Sequence, residues 1–161
     1  MRKALLAAFL PLFVSLLALA VAAPRNAFAV SCRVGTTALG FGSYAPGSGA
    51  PASAVGSLDL SCSPGAAAIN YSISIGTGSS GTYTPRKMTS GSNALIYQLY
   101  TDAGHTTIFG NGTGGSVSVS GSFSPKFDSQ NTSIPVYGLL PGGQWIPPGL
   151  YSDSLAVTVS W

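Results

Sequence analysis

From residue 57 onward the chain alternates apolar and polar positions in short runs. Leu58, Leu60 and Cys62 alternate with Ser57, Asp59 and Ser61, and Ile69, Tyr71, Ile73 and Ile75 alternate with Asn70, Ser72 and Ser74. A period of two puts one apolar and one wet face on each strand. Leu95 to Tyr100 predicts a mixed strand, Val117 and Val119 alternate with serines, and Ile134 to Leu140 predicts a short strand after Asn131-Thr132-Ser133. The last segment is the most regular: Tyr151, Asp153, Leu155, Val157, Val159 and Trp161 share one side. Between the runs lie Gly47 to Pro51, Gly76 to Gly81, Gly110 to Gly115, Pro141-Gly142-Gly143 and Pro147-Pro148-Gly149. Short strands separated by such turn chemistry predict an antiparallel β-sandwich with Tyr71, Ile73, Leu155, Val157 and Val159 inward. No stretch predicts a helix beyond brief turns near Asn93 or Asp102.

The first 29 residues follow another pattern. Arg2-Lys3 precede an apolar run from Ala4 to Ala23, and Ala27-Phe28-Ala29 forms a small-x-small site. This is the layout of a secretory signal peptide over 1-29, leaving a single domain over 30-161. Pro11 and the small-residue site favour cleavage over retention, so no permanent membrane anchor is expected.

Removing the leader changes the charge. The whole chain has seven basic and four acidic residues. Without Arg2, Lys3 and Arg25, the remainder sets Arg33, Arg86, Lys87 and Lys126 against Asp59, Asp102, Asp128 and Asp153, a formal charge of zero. One basic pair, Arg86-Lys87, falls short of a phosphate-tracking surface, so nucleic acid is not expected as a partner. Glutamate is absent, and 21 glycines accompany abundant serine, a composition poor in helix formers.

Cys32 and Cys62 are the only cysteines. In an exported chain an even count predicts a disulfide, and two cysteines permit one intramolecular pairing. A single histidine, His105, with two distant cysteines supplies neither a redox pair nor a metal ligand set. His105 is expected on the surface, and no metal or other cofactor is expected.

The remaining motifs reduce to structure. Gly76-Thr-Gly78-Ser-Ser-Gly81 matches GxGxxG, but Thr82-Tyr83-Thr84-Pro85 does not start a helix and no acidic residue follows at the ribose position; a polar hairpin loop is expected. Arg86-Lys87 is expected to protect a sheet edge. The sequons Asn111-Gly-Thr113 and Asn131-Thr-Ser133 read as polar loops. With no GxSxG elbow and no positioned base, the chain is expected not to be an enzyme.

The residues alone leave open whether the sandwich is complete. Five stretches carry a resemblance: Ala38 to Tyr44 after Cys32; Gly56-Ser-Leu-Asp-Leu-Ser-Cys62; Tyr83-x-Pro85-Arg86-Lys87-Met88; Leu95 to Asp102 running to Phe109-Gly110; and Val136-Tyr137-Gly138 with Gly143-Gln144 and Gly149-Leu-Tyr151-Ser-Asp153. Together they resemble the spore coat protein U family, which includes subunits of archaic chaperone-usher pili.

The resemblance implies an immunoglobulin-like sandwich lacking its final strand. It also implies export through the periplasm to a pilus, the cell surface or the medium. The implied partners are a periplasmic chaperone that lends a strand, an outer-membrane usher, and neighbouring subunits that donate a strand in the fibre, with a host or abiotic surface as possible ligand. By the same resemblance Cys32 and Cys62 join the first two strands, Leu155, Val157, Val159 and Trp161 line the groove or core, and Tyr137, Gln144, Tyr151 and Asp153 are structural. Cleavage after Ala29 leaves only Val30 and Ser31 ahead of Cys32, so a tip or terminal subunit active in adhesion or biofilm formation is expected. A single-domain surface-coat or carbohydrate-binding protein is the second reading, with Tyr83, Tyr100 and Trp145 as candidate contacts. A secreted hydrolase based on His105 is the third.

Overall fold

A computed structural model of the chain describes residues 30–64, 67–124, 126 and 128–161. The expected signal peptide lies outside the described residues. Among the described residues eight strands form two antiparallel sheets: β1 (Cys32–Thr37), β2 (Ala52–Cys62), β3 (Ile69–Ile75), β4 (Arg86–Ser90), β5 (Asn93–Tyr100), β6 (Val119–Phe123), β7 (Gln130–Leu140) and β8 (Val157–Ser160). The larger sheet has the order β1-β2-β7-β5-β4 and the smaller β6-β3-β8. This is the antiparallel β-sandwich expected from the alternation, in the immunoglobulin-like form that the family resemblance implies.

The core lies where the two inner faces meet. Leu58, Leu60, Ile134 and Val136 face it from the larger sheet, and Ile69, Ile73, Ile75 and Phe123 from the smaller. Each set is spaced by two residues, so the hydrophobic effect drives one face of every strand inward. Tyr71 lies at the rim, half-buried, its ring centroid 5.1 Å from that of Phe123. β1 and β2 are joined by the Cys32–Cys62 disulfide, and these two residues oppose each other in the strand register. β4 turns into β5 through Gly91-Ser92, where the left-handed φ of 59° at Gly91 suits a two-residue hairpin loop.

Three sequence expectations change. Gly76 to Gly81 is not a hairpin loop: β3 and β4 lie in different sheets, and the segment is the crossover between them, with one 3-10 turn at Gly78–Ser80. Asn131-Thr-Ser133 is not a loop, because β7 begins at Gln130 and these residues pair with Ser61, Leu60 and Asp59 of β2. The alternation from Tyr151 to Trp161 holds, but only Val157–Ser160 is a strand of the smaller sheet. Further back the segment turns to the larger sheet, where Ser152 and Thr89 of β4 exchange backbone hydrogen bonds of 2.9 and 3.1 Å.

Candidate functional site

The pairing leaves two strands half-partnered on one flank of the sandwich. β8 pairs with β3 and β1 with β2, and neither has a second strand partner among the described residues. The end of β8 lies beside the start of β1, since the Trp161 indole N–H donates to the Val30 carbonyl at 3.2 Å. The end of β1 and the approach to β8 line one cavity, which includes Thr36, Thr37, Leu155 and Val157. β1 and β8 therefore run in opposite directions along this flank. A strand placed between them antiparallel to β8 would run parallel to β1.

The cavity has a volume of about 390 Å³ and a floor of Leu58, Ile75, Leu99 and Val136. Through Leu39, Phe41, Met88 and Tyr151 it meets a second cavity of about 630 Å³, bordered by Tyr44, Leu95, Leu140 and Ile146. Burial falls from the floor to the rim: Leu58 is 4% and Ile75 3% exposed, while Leu39, Phe41, Leu155 and Val157 in the lining, with Val34 and Val159 beside it, are only half-buried against the core. Apolar side chains thus remain partly wet along a line bounded by two unpaired strand edges, a combination that invites pairing with another chain.

Leu39 and Phe41 enter the cleft because Gly138 on the inner face of β7 makes room for them. A Cβ at Gly138 would stand 2.8 Å from Leu39 and 2.9 Å from Phe41. The Phe41 ring meets Tyr97 edge-on, with centroids 6.0 Å apart.

Two polar centres brace the cleft. Asp153, in the segment leading to β8, accepts hydrogen bonds from the Tyr97 hydroxyl (2.6 Å), the Ser79 N–H (2.9 Å) and the Ser154 N–H (3.0 Å). Burial, then the hydrogen bond to Asp153, pushes the Tyr97 phenol well above its ordinary pKa, so it remains a donor. Gly78 packs so closely on the Asp153 carboxylate that a Cβ there would overlap it.

The second centre is Arg86, and it corrects the sequence reading. β4 is an edge strand, but Arg86 points inward and is 0% exposed. Its guanidinium donates to the carbonyl of Phe109 (2.7 Å), to the carbonyl of Gly76 (3.1 Å) and to Oε1 of Gln98 (2.7 Å), and it lies 5.2 Å from the Tyr83 ring centroid. Burial lowers its pKa, opposed by the nearby Tyr97, Tyr83 and Asp153. Three fixed acceptors match a planar fork of donors, which offsets the desolvation of the charge.

The remaining candidates do not assemble into a site. His105 sits in a turn with φ 55°, half-buried, edge-on to Tyr100 at 5.1 Å. Among the described residues no group of three His, Cys, Asp or Glu side chains gathers as a metal set. Of the three aromatic candidates, Tyr83 is covered by Arg86, Tyr100 packs on His105, and Trp145 alone is largely exposed, at 83%. Trp161 lies outside the cleft lining and is 55% exposed. No helix among the described residues is long and apolar enough to cross a membrane.

Sequence reasoning did not single out Leu39, Phe41, Met88 or Tyr97 as cleft residues. The available signal was the i, i+2 spacing of Leu39 and Phe41, interrupted by Gly40 and Gly42.

The fold and its open flank define an immunoglobulin-like sandwich with one unfilled inter-strand position. The Spore Coat Protein U domain model matches residues 17–158, and the chain belongs to that family. No curated protein matches. The fold is similar to that of a chain in the crystal structure of the CsuC-CsuE chaperone-tip adhesion subunit pre-assembly complex from archaic chaperone-usher Csu pili of Acinetobacter baumannii, with a TM-score of 0.53 and 22% identity. That alignment covers 83% of this chain and 40% of the other, so this chain spans less than half of its neighbour's length.

Proposed function

We propose that this chain is a structural subunit of a chaperone-usher type surface pilus and that its cleft receives a strand from another chain. The observation that carries this reading is the pair of unpartnered edges, β1 and β8, flanking half-buried Leu155, Val157 and Val159. An inserted strand would satisfy their free backbone groups and cover the apolar rim with alternate side chains. A periplasmic chaperone is the first donor, before an outer-membrane usher passes the subunit to a neighbour whose strand replaces the chaperone's. Adhesion and a terminal position in the fibre belong to the same reading, as does residence at the cell surface.

The test is co-expression with a candidate chaperone in the periplasm. The expected outcome is a soluble 1:1 complex, with poor recovery of the subunit alone. A stable monomer that ignores the chaperone would sink the proposal.

A further inference from the structure

The outward faces of the two sheets differ in character. On the smaller sheet every outward strand position is serine, threonine or asparagine, as where Ser72 pairs with both Ser120 and Ser160. On the larger sheet one register carries an apolar row instead. Val55 of β2 opposes Tyr137 of β7, Tyr137 opposes Tyr100 of β5, and Tyr100 bridges to Ile108 beyond it. The residues next to them in the chain, Val136, Gly138, Leu99 and Phe109, are buried, so the row points outward. Val55 is 61% exposed and the other three are half-buried. Opposite charges stand on the two sides of this row. Asp59 lies four residues from Val55 along β2. Lys87 of β4 opposes Ile96, which lies four residues from Tyr100 along β5 in the other direction. Since the sheet order is β1-β2-β7-β5-β4, the midpoint between Asp59 and Lys87 falls between Tyr137 and Tyr100.

We infer that this face binds a second copy of the chain about a twofold axis that passes between the two tyrosines. An axis in the plane of contact and perpendicular to the Asp59–Lys87 line turns the face onto itself. It sets Lys87 of each copy over the partner's Asp59 and crosses the two apolar rows at the centre. The other charged side chain on the outward face of these strands, Arg33, opposes Ser61 on the edge strand β1, farther out than Asp59 and off that line. Self-complementarity of this kind is what an isologous contact requires. Tyrosine at the middle with charge confined to the rim is the composition of an interface. A bare apolar surface would leave both charges without a counterpart. The face measures roughly 20 Å across its five strands and about 26 Å from the level of Asp59 to that of Lys87. Two such faces bury on the order of 1,000 Å² in total, at the weak end of specific interfaces, so the dimer dissociates on dilution. The face points away from the cleft, and the inference does not rest on strand acceptance.

Sedimentation velocity tests it. The exported protein, together with any strand donor that copurifies, is run over a range of concentrations. A monomer–dimer equilibrium is expected, and Tyr137→Lys, which brings two ammonium groups together near the axis, should abolish it. Lys87→Asp and Asp59→Lys each set like charges face to face, twice per dimer because an isologous contact repeats every pair, and each should weaken association about tenfold. The double exchange Asp59→Lys, Lys87→Asp reverses both partners and should restore the dimer to within about threefold of the parent. Lys87→Asp, at an outward position on an edge strand, should keep the parent's melting temperature, which separates lost association from lost fold. A protein that stays monomeric at every concentration would overturn the inference. So would a dimer that persists in Tyr137→Lys, or a double exchange that associates no better than either single variant.

Discussion

The Tyr97 hydroxyl donates a 2.6 Å hydrogen bond to Oδ2 of Asp153, tying β5 of the larger sheet to the segment that leads into β8 of the smaller one. The bond stands at the wall of the cleft, one residue on from the backbone bridge between Ser152 and Thr89 of β4. Tyr97→Phe keeps the ring and removes only the donor. Hydrogen bonds to charged groups contribute about 1.5–3 kcal/mol, so the urea midpoint should fall accordingly with an unchanged m-value. Asp153→Ala should cost more, because the Ser79 and Ser154 N–H groups lose their acceptor as well.

Arg86 provides a sharper test of specificity in a buried polar group. Arg86→Lys preserves the charge but not the fork, so one ammonium must serve acceptors on Gly76, Gln98 and Phe109. Each buried acceptor left unpaired costs about 1–3 kcal/mol. Chemical denaturation should show Arg86→Lys destabilised by roughly that much or more, and Lys87→Arg close to wild type.

The disulfide makes a separate contribution. Cys32 and Cys62 are 30 residues apart, and closing a loop of that length restricts the unfolded chain by roughly 3–4 kcal/mol on chain-entropy reasoning. The Cys32→Ser, Cys62→Ser double variant should lose about that much in equilibrium denaturation. Thiol titration of the unreduced, denatured parent should find no free thiol.

Asp102 sets a pH dependence. Hydrogen bonds, above all from the Thr107 N–H and then from Thr106 and Gly104, hold its carboxyl below the usual aspartate range, against a smaller opposing effect of desolvation. A carboxylate depressed in the folded state binds fewer protons there than in the unfolded chain. Its contribution to stability is therefore present above the ordinary aspartate pKa and is lost as pH falls through the depressed folded value. Carboxyl-carbon NMR should give Asp102 a low midpoint, and Asp102→Asn should flatten the acid limb of the stability curve.

How much of this was legible before the fold was known depends on what periodicity encodes. Leu58, Leu60 and Cys62, and Ile69 to Ile75, give their faces directly, since every second residue points the same way. Arg86 was misread because its charge argued for water, although Met88 two residues on shares its face. Pairing partners are not encoded in alternation, so the crossover at Gly76 to Gly81 and the departure of Ser152 towards Thr89 were hidden. The same holds for Gln144, whose side-chain amide continues the pairing of β5 on its β7 side beyond Gln98 by accepting from the Ile96 N–H at 2.8 Å and donating to its carbonyl at 2.9 Å. The open flank was anticipated through the family resemblance; alternation alone left a complete sandwich equally available.

Strand acceptance can be read out energetically at Val157. Its side chain is half-buried on the inner face of β8 at the rim of the cleft, opposite Ile75 of β3, while the other edge of β8 is unpaired. In the unfilled protein Val157→Ala should cost about 1–2 kcal/mol, since part of the apolar area already faces water. A synthetic peptide with alternating apolar residues should raise the melting temperature of the parent by mass action, by about 2.7 kcal/mol of stability at a hundredfold excess over Kd. In Val157→Ala the same peptide should bind severalfold more weakly, because its facing side chain meets a cavity. Val55→Ala, an exposed position on β2 away from the cleft lining, should leave peptide binding unchanged. Equal stabilisation of all three proteins by the peptide would place its binding outside the cleft and remove the energetic case for strand insertion.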